Sequence, residues 1–264
     1  MALNKAGRAA VGLKFANRLQ DVYTIKGWQP VTNDARAVRV QIPPRATVTF
    51  YNRRPTTLNN DVVDIQLFVD GDKLRYDVGH TFIRLDNGWG NVQYVGHYAS
   101  EFSITDNILR KNDTRGERRN DRDADWHVGR IYHITNAQYQ QIQDFIDNYD
   151  FSTYNITDKN CTTFAVDALA VAGIESPTRK HDWTIGETNI GTLYSPGISI
   201  PFYFYGYSPA GAARHMQGAL DTPYIEKTDD GYRTLVREAL PWWMRRYLTN
   251  GRPVSTYRVR EIEQ

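Results

Sequence analysis

The sequence predicts an α+β fold in which an antiparallel sheet packs against a helix. A hairpin is indicated over residues 80–98, where two alternating runs flank the turn-forming stretch Asn87-Gly88-Trp89-Gly90. An Ala- and Leu-rich run after Asn160 is typical of a helix. Alternating segments near both ends of the chain predict further strands around this centre.

Composition excludes several classes of protein. The 264 residues include 32 basic and 30 acidic side chains, a balance that does not favour a nucleic-acid partner. A single cysteine excludes an internal disulfide framework and a zinc site with several cysteines. No apolar run reaches the roughly 20 residues of a membrane span, and the first residues lack the apolar core of a signal peptide. We therefore expect cytoplasmic synthesis and no stable membrane insertion.

The predicted elements suggest three segments along the chain. Residues 1–76 form a β-rich N-terminal extension, with a short helix over 3–20 and strands within 36–52 and 62–69. Residues 77–215 form the core. Residues 216–264 form a C-terminal extension, with a helix over 230–247 and a strand over 254–262. The alternative is that all three segments belong to one compact domain.

Within the core, each element has its own local signal. The hairpin is followed by residues 110–125, whose six basic and five acidic side chains predict a mobile, solvated loop. A strand is predicted over 128–134. Thr135 then caps a helix, with Gln138 at the capping-box position.

The lone cysteine, Cys161, is the first candidate functional residue. It follows Asn160, which is a good N-cap for a helix. Gly173 is a natural C-terminal stop for that helix. A thiol in the first helical turn meets unpaired N–H groups and the positive end of the helix dipole. Both favour the thiolate, which is the nucleophilic form. The alternative is that Cys161 is a small buried apolar residue.

Geometry selects a base among the six histidines. If Asp86 pairs with Asn91 across a four-residue loop, His80 lies directly opposite His97. One imidazole would then orient the other, with Gln93 on the same face as the fallback for this third role. A slip of one residue would turn His97 to the other face. A Cys-His-His zinc site and ordinary surface histidines are the alternatives.

Two segments resemble the circularly permuted papain-like hydrolases. They are Gly79-His80-Thr81-Phe82-Ile83-Arg84-Leu85 and, about eighty residues later, a stretch that runs from Tyr154 through Asn160-Cys161-Thr162-Thr163-Phe164 to Ile174. In this group, which includes permuted NlpC-like peptidases, acyltransferases and isopeptidases, the histidine strand precedes the cysteine helix. The resemblance spans residues 77–175. It implies a permuted papain-like fold with Cys161 as nucleophile and His80 as general base.

The resemblance also implies an activity. The bacterial members mostly cut amide bonds in peptidoglycan stem peptides, and several are toxic effectors delivered by type VI secretion. We therefore expect a cysteine amidase or endopeptidase that needs no cofactor or metal and acts in the periplasm of a rival cell. An immunity protein and a secretion-apparatus partner would accompany such an effector. Asn160, Gln93 and Tyr154 are expected to assist the substrate or the oxyanion.

Two other functions remain open at this level. One is a thiol hydrolase or acyltransferase that acts on proteins or lipids, because the cysteine segment resembles isopeptidases nearly as well. The other is a binding module without catalysis. In that case the aromatic run 198–207 would line a groove, and the tail around Trp242 would contact a membrane or a delivery partner.

Overall fold

The computed structural model describes residues 46–55, 63–70, 73–101, 103, 106–107, 110–187, 204–240 and 257–262. It combines helices with mostly antiparallel sheet, as the sequence predicted. The strands are Ala46–Arg53 (β1), Ile65–Asp70 (β2), Lys73–Asp77 (β3), His80–Asp86 (β4), Val92–Ala99 (β5), Thr114–Arg119 (β6), Val128–Ile134 (β7), Thr153–Tyr154 (β8), His181–Asp182 (β9), Ile185–Glu187 (β10), Tyr205–Gly206 (β11), Tyr224–Thr228 (β12), Gly231–Ala239 (β13) and Tyr257–Ile262 (β14). The helices are Asn136–Asn148 (α1), Cys161–Ala170 (α2) and Pro209–Gly218 (α3).

One antiparallel sheet dominates the fold. Its nine strands run in the order β14-β13-β12-β7-β1-β4-β5-β6-β8. β1 lies between β7 and β4, although it comes from the segment predicted to be an N-terminal extension. The sheet then continues into β12, β13 and β14 from the C-terminal segment. One sheet thus unites all three segments, and the boundary drawn after residue 215 falls inside α3.

The main core lies between this sheet and the helices. Strand residues such as Val48, Phe50 and Ile83 meet apolar side chains of all three helices. α2 contributes most, since Phe164, Ala165, Ala168 and Leu169 are fully buried. Burial of this kind contributes roughly 25 cal/mol per Å² of apolar surface removed from water, so the cysteine helix is held firmly against the sheet.

A smaller layer stands beside the cysteine helix. β10, β2 and β3 form a three-stranded sheet, and β9 pairs with β11. A second apolar cluster, which includes Ile65, Tyr154, Trp183 and Phe204, packs in this region. β3 leads within three residues into His80, so this layer forms one wall of the site described below.

Several local predictions are confirmed. The strand over 128–134 is β7, and the strand predicted over 254–262 contains β14. Thr135 caps α1, with both capping-box hydrogen bonds to Gln138 present. Gly173 follows α2 in the left-handed region at φ 65°, and Ile174 N–H returns to the carbonyl of Leu169 at 3.0 Å. This is the Schellman arrangement that a terminal glycine predicts.

Three other predictions were wrong or incomplete. Residues 231–239 form β13 and not the start of a helix, because their backbone pairs with β12 on one side and with β14 on the other. Residues 114–119 form β6 between β5 and β8, so the segment 110–125 is not simply a solvated loop. Helix α3 was not predicted, although Ser208 caps it and Pro209 begins it.

The hairpin was correctly located, but its register differs by one residue. Asp86 pairs with Val92 instead of Asn91, because the loop has five residues. Gly88 and Gly90 take positive φ angles there, and the Asn87 side chain accepts the N–H groups of Trp89 and Asn91. The one-residue change turns every following side chain of β5 to the other face of the sheet.

Some predicted features lie outside the described residues. They are the helix over 3–20, the part of the 36–52 segment before residue 46, the aromatic run before Phe204 and the tail around Trp242. None of the helices that the structure describes has the length and apolar character needed to cross a membrane.

Candidate active site

Cys161 is the first residue of α2 and its side chain is buried. The Asn160 side chain caps the helix by accepting the N–H groups of Thr162 and Thr163, each at 2.9 Å. The first turn is joined to β4 by a hydrogen bond between the hydroxyls of Thr81 and Thr162 at 2.9 Å. The helix cap and this hydrogen bond together hold the sulfur beside the start of β4.

His80 is placed next to the sulfur by a tight entry into β4. Gly79 has φ 73°, and a Cβ atom at this position would lie 2.3 Å from the carbonyl oxygen of Arg53. Only glycine fits this approach. The Gly79 N–H also donates to the Asp77 carboxylate at 2.8 Å, which fixes the turn. The His80 imidazole is buried and lines the same cavity as Cys161, close enough for each to shift the pKa of the other.

Asp121 completes a chain of three residues. Its Oδ2 lies 2.9 Å from His80 Nε2, and its other oxygen, Oδ1, accepts the Tyr98 hydroxyl at 2.6 Å. Because Nε2 is engaged by Asp121, Nδ1 is the ring nitrogen of His80 that would serve the thiol. Cys161, His80 and Asp121 thus lie in the order that a nucleophile, a base and an orienting acid would need.

Gly96 leaves room for the contact between His80 and Asp121, and Tyr98 packs against it. A Cβ atom at Gly96 would lie 1.8 Å from Asp121 Oδ2 and 2.8 Å from His80 Nε2, so any side chain there would break the contact. The Tyr98 ring packs on the His80 ring with centroids 4.2 Å apart. Tyr98 therefore contacts both the base and its partner.

The electrostatics favour a thiolate–imidazolium pair. Burial lowers the pKa of His80, but hydrogen bonds and charges from Asp121 and Cys161 outweigh it and raise the pKa to about 9. Burial raises the pKa of Cys161, but His80 and the N–H of Thr81 together hold it below its ordinary value. Each partner therefore stabilises the charged form of the other at neutral pH.

Tyr154 lies at the same site, as the sequence predicted. Its buried phenol lines the same cavity as Cys161. Burial and the charge of the thiolate raise the pKa of Tyr154 far above its ordinary value, so it stays a neutral donor. A cavity of about 310 Å³ opens here, lined by Cys161, His80, Tyr154 and the charged side chains of Arg53 and Asp77 among others.

His97 does not lie opposite His80. Continuation of the observed register places Tyr98 across from His80, whereas His97 falls on the face that packs against the helices. Four aromatic rings surround His97, namely those of Tyr149, Phe151, Tyr154 and Phe164. Burial, with a smaller effect from Lys159, lowers the pKa of His97 to about 4. His97 is thus a neutral imidazole that packs among aromatic rings and lines the same cavity as Cys161, and it forms no hydrogen bond with His80.

Gln93 and Asn160 also have other partners. Gln93 lies opposite Leu85 and exchanges hydrogen bonds with Gln143 and Arg118, away from the cysteine. The Asn160 amide group donates to the carbonyls of Ile156 and Tyr207 at 2.7 and 2.9 Å. Both donors of Asn160 are therefore used within the protein, so this side chain cannot also bind an oxyanion.

The zinc alternative needs His80 and His97 to converge on Cys161. The observed register turns the two imidazoles to opposite faces of the sheet. Within the described ranges, no group of three or more His, Cys, Asp or Glu side chains has the geometry to hold a metal ion.

A second cluster contains Ser208, His181 and Asp64. The same nitrogen of His181, Nε2, lies 2.9 Å from Asp64 and 3.2 Å from Ser208. Ser208 also donates directly to Asp64, and it accepts the N–H of Gly211 as the cap of α3. A catalytic histidine must connect serine and aspartate through different nitrogens, which this one does not. The cluster instead ties β2, β9 and α3 together.

Sequence reasoning missed Asp121 because it is one of five acidic residues in a segment that is otherwise rich in arginine. Nothing local distinguishes it from Asp123 or Asp125. The available signal was Gly96, since a glycine in the middle of a strand often marks a close approach by another group.

Comparisons of the chain with protein-family models, with curated proteins and with solved structures find no match. The assignment of function therefore depends on the residues of the site and on their arrangement.

Proposed function

We propose that this protein is a cysteine hydrolase that cleaves amide bonds. The observation that carries the proposal is the placement of three buried side chains, in which His80 is hydrogen-bonded to Asp121 and lines the same cavity as Cys161, so that each of Cys161 and His80 shifts the pKa of the other. A lone buried cysteine has no need of a histidine and a carboxylate aligned behind it. The order of the elements, with the histidine strand before the cysteine helix, supports a permuted papain-like fold.

The proposed reaction has two halves. The Cys161 thiolate attacks the substrate carbonyl carbon and forms a tetrahedral intermediate. His80, protonated and held by Asp121, gives its proton to the leaving amine as the C–N bond breaks. His80 then takes a proton from water, which attacks the thioester and releases the acid. Asp121 keeps the ring oriented throughout and stabilises its positive charge.

The oxyanion would form beside the start of α2. The backbone N–H of Cys161 is the first donor, since the opening residues of a helix have no intrahelical partner for this group. The Tyr154 hydroxyl, which stays protonated, is the second. Asn160 contributes by holding the helix end, because its own donors are occupied.

We assign the substrate as the stem peptide of peptidoglycan. The residues that resemble permuted NlpC-like hydrolases support this assignment. The walls of the cavity also include the Arg53–Asp77 ion pair at 2.8 Å and Asp125, which is paired with Lys227, so they are polar and suit a peptide better than an apolar ligand. As an antibacterial effector the protein would act in the periplasm of the target cell, with a secretion-apparatus partner and an immunity protein.

A lipid-directed acyltransferase is less well supported, because a cavity of about 310 Å³ with charged walls does not suit a long acyl chain. A protein-directed isopeptidase uses the same catalytic residues and stays the second candidate. A binding module without catalysis would have no need of the Asp121 contact.

The test is to incubate the purified protein with isolated peptidoglycan and to separate the products by mass spectrometry. We expect new amino and carboxyl ends within the stem peptide, with no product from Cys161→Ala. Ser176→Ala, a change outside the cavity walls, is the matched control and should cleave normally. Cleavage of a ubiquitin-like or other isopeptide substrate, with intact peptidoglycan, would favour the second candidate. Product formation by Cys161→Ala at the wild-type rate would exclude the mechanism.

A further inference from the structure

A second cleft lies beside the active site and has strongly basic walls. Its volume is about 590 Å³, and four arginines line it, namely Arg84, Arg118, Arg119 and Arg122. The remaining walls come from Tyr94 and from other uncharged residues of β5 and the loops at its end. In the described part of the chain, no carboxylate lines this cleft.

The arginines keep many hydrogen-bond donors available. Arg84 donates to Tyr94 and Asp86 through two of its three nitrogens. Arg118 donates to Gln93 at 3.3 Å, lies over the Phe151 ring and approaches Asp147 at 3.9 Å, and Arg119 pairs with Glu117 on its own strand. The guanidinium of Arg122 has no ion-pair or hydrogen-bond partner among the described residues, and the only hydrogen bond of this residue is made by its backbone N–H.

We propose that this cleft binds a phosphate group. A carboxylate has two oxygens, which a single guanidinium satisfies with a pair of hydrogen bonds. A doubly charged phosphate has three terminal oxygens and can accept hydrogen bonds from several arginines at once. A cleft of this volume exceeds one phosphate, so the ligand would be a phosphomonoester with a group attached. Tyr94 offers a phenol for contact with that group.

A nucleic acid is the less favoured ligand. A basic track for a polyanion needs cations spaced along an extended surface. Here the arginines meet in one cleft, and the loop beyond it carries the exposed carboxylates of Asp123 and Asp125. The net charge of +2 is also small for such a partner.

The cleft adjoins the active site through one side chain. The Arg119 guanidinium lies over the Tyr98 ring, 4.6 Å from its centroid, and the Tyr98 hydroxyl donates to Asp121. A ligand held by Arg84 and Arg119 would therefore lie on the same face of the sheet as His80, whereas Arg118, which pairs with His97, belongs to the other face. The proposal itself rests on the arginines and is independent of the hydrolase assignment.

The test is calorimetric titration of the full-length protein with inorganic phosphate at constant low ionic strength. We expect saturable binding with one site. The R119Q/R122Q variant should bind at least about tenfold more weakly, since a hydrogen bond to a charged group contributes about this factor. The control R110Q/R115Q removes the same charge from nearby exposed positions, and should change the affinity less than about twofold because surface charges at a distance are screened. Cys161→Ala should bind phosphate like the wild type, which separates this proposal from the hydrolase reaction.

The source of the phosphate is decided by three further titrations. Glycerol 3-phosphate represents soluble phosphomonoesters, vesicles of phosphatidylcholine with phosphatidic acid represent lipid headgroups, and a short single-stranded DNA represents nucleic acid. Tightest binding to either of the first two supports the proposal and names the source. Tighter binding to DNA, no binding of phosphate by the wild type, or equal losses in the two double variants would overturn it. Thermal unfolding of each variant establishes that it is folded.

Discussion

Replacement of Asp121 by asparagine tests the proposed site most directly. The substitution keeps the size of the side chain but removes the charge that supports His80. Asp121 is almost fully buried, so no water replaces the lost interaction at low cost. The expected consequence is that the imidazolium, and with it the thiolate, is less stable.

The structure sets the scale of the effect. Burial alone would lower the pKa of His80 below its ordinary 6.5, whereas its partners raise it to about 9. One pKa unit corresponds to about 1.4 kcal/mol, so Asp121 and Cys161 together stabilise the imidazolium by at least about 3 kcal/mol. The hydrogen bond to Asp121 is the largest favourable contribution. We therefore assign about 2 kcal/mol to Asp121, which corresponds to roughly a 30-fold change in rate.

The assay is alkylation of Cys161 by iodoacetamide as a function of pH. Cys161 is the only cysteine, so the modification is specific and needs no substrate. His80 loses its proton at lower pH in the Asp121→Asn variant, and the pKa of Cys161 then rises toward its ordinary value. The reactivity profile should move to higher pH, and the largest loss of alkylation rate, up to roughly 30-fold, should fall between a His80 pKa of about 7.5 in the variant and of about 9 in the wild type.

The control is Asp123→Asn, which removes an equal charge from an exposed position two residues away. Its alkylation profile should match that of the wild type. If Asp121→Asn also matches the wild type while its near-UV circular dichroism is unchanged, Asp121 does not support His80, and the argument from geometry fails.

Three further predictions follow from the same contacts. Gly96→Ala should displace Asp121 and reproduce the shifted alkylation profile of Asp121→Asn, because its methyl group would overlap the carboxylate. A wild-type profile would contradict this. His97→Phe should leave the alkylation profile of Cys161 unchanged. In urea unfolding, the variant should lose less stability than the wild type when the pH is lowered from 6.5 to 4. The reason is that the pKa of His97 is about 4 in the folded protein and 6.5 in the unfolded chain. As the pH falls between these values, the unfolded chain of the wild type gains a proton that the folded protein does not, which lowers the free energy of unfolding by about 2 kcal/mol. An equal loss of stability in the wild type and the variant would refute this reasoning. Asn160→Ala should lower the free energy of unfolding by about 2 kcal/mol, since it removes the cap of α2 and leaves buried carbonyls without donors; a urea midpoint equal to that of the wild type would contradict it.

Elements whose signals are local were well predicted from the sequence. The capping box at Thr135 and the cap at Asn160 depend on residues within one helical turn, and both form as expected. The hairpin was also located correctly. Its register was not, because a loop of four residues and a loop of five are both compatible with Asn87-Gly88-Trp89-Gly90-Asn91.

Errors in the other elements have a common cause, which is pairing between segments distant in the chain. β13 has a sequence that also suits a helix, and its pairing with β12 and β14 decides in favour of a strand. β1 lies between β4 and β7, a position that no pattern within residues 46–53 reveals. Sheet partners are set by packing over the whole chain, so local periodicity cannot select them.

The sequence alone was enough to propose the nucleophile and the base, Cys161 from its place after a helix cap and His80 from the resemblance of its strand to permuted papain-like hydrolases. Tertiary structure alone decided the third residue. Asp121 lies 41 positions from His80, among acidic neighbours of the same kind, and only burial against Gly96 and Tyr98 brings it to the imidazole. A carboxylate acquires its role from the desolvation and hydrogen bonds that the folded chain imposes on it, and no sequence pattern encodes these.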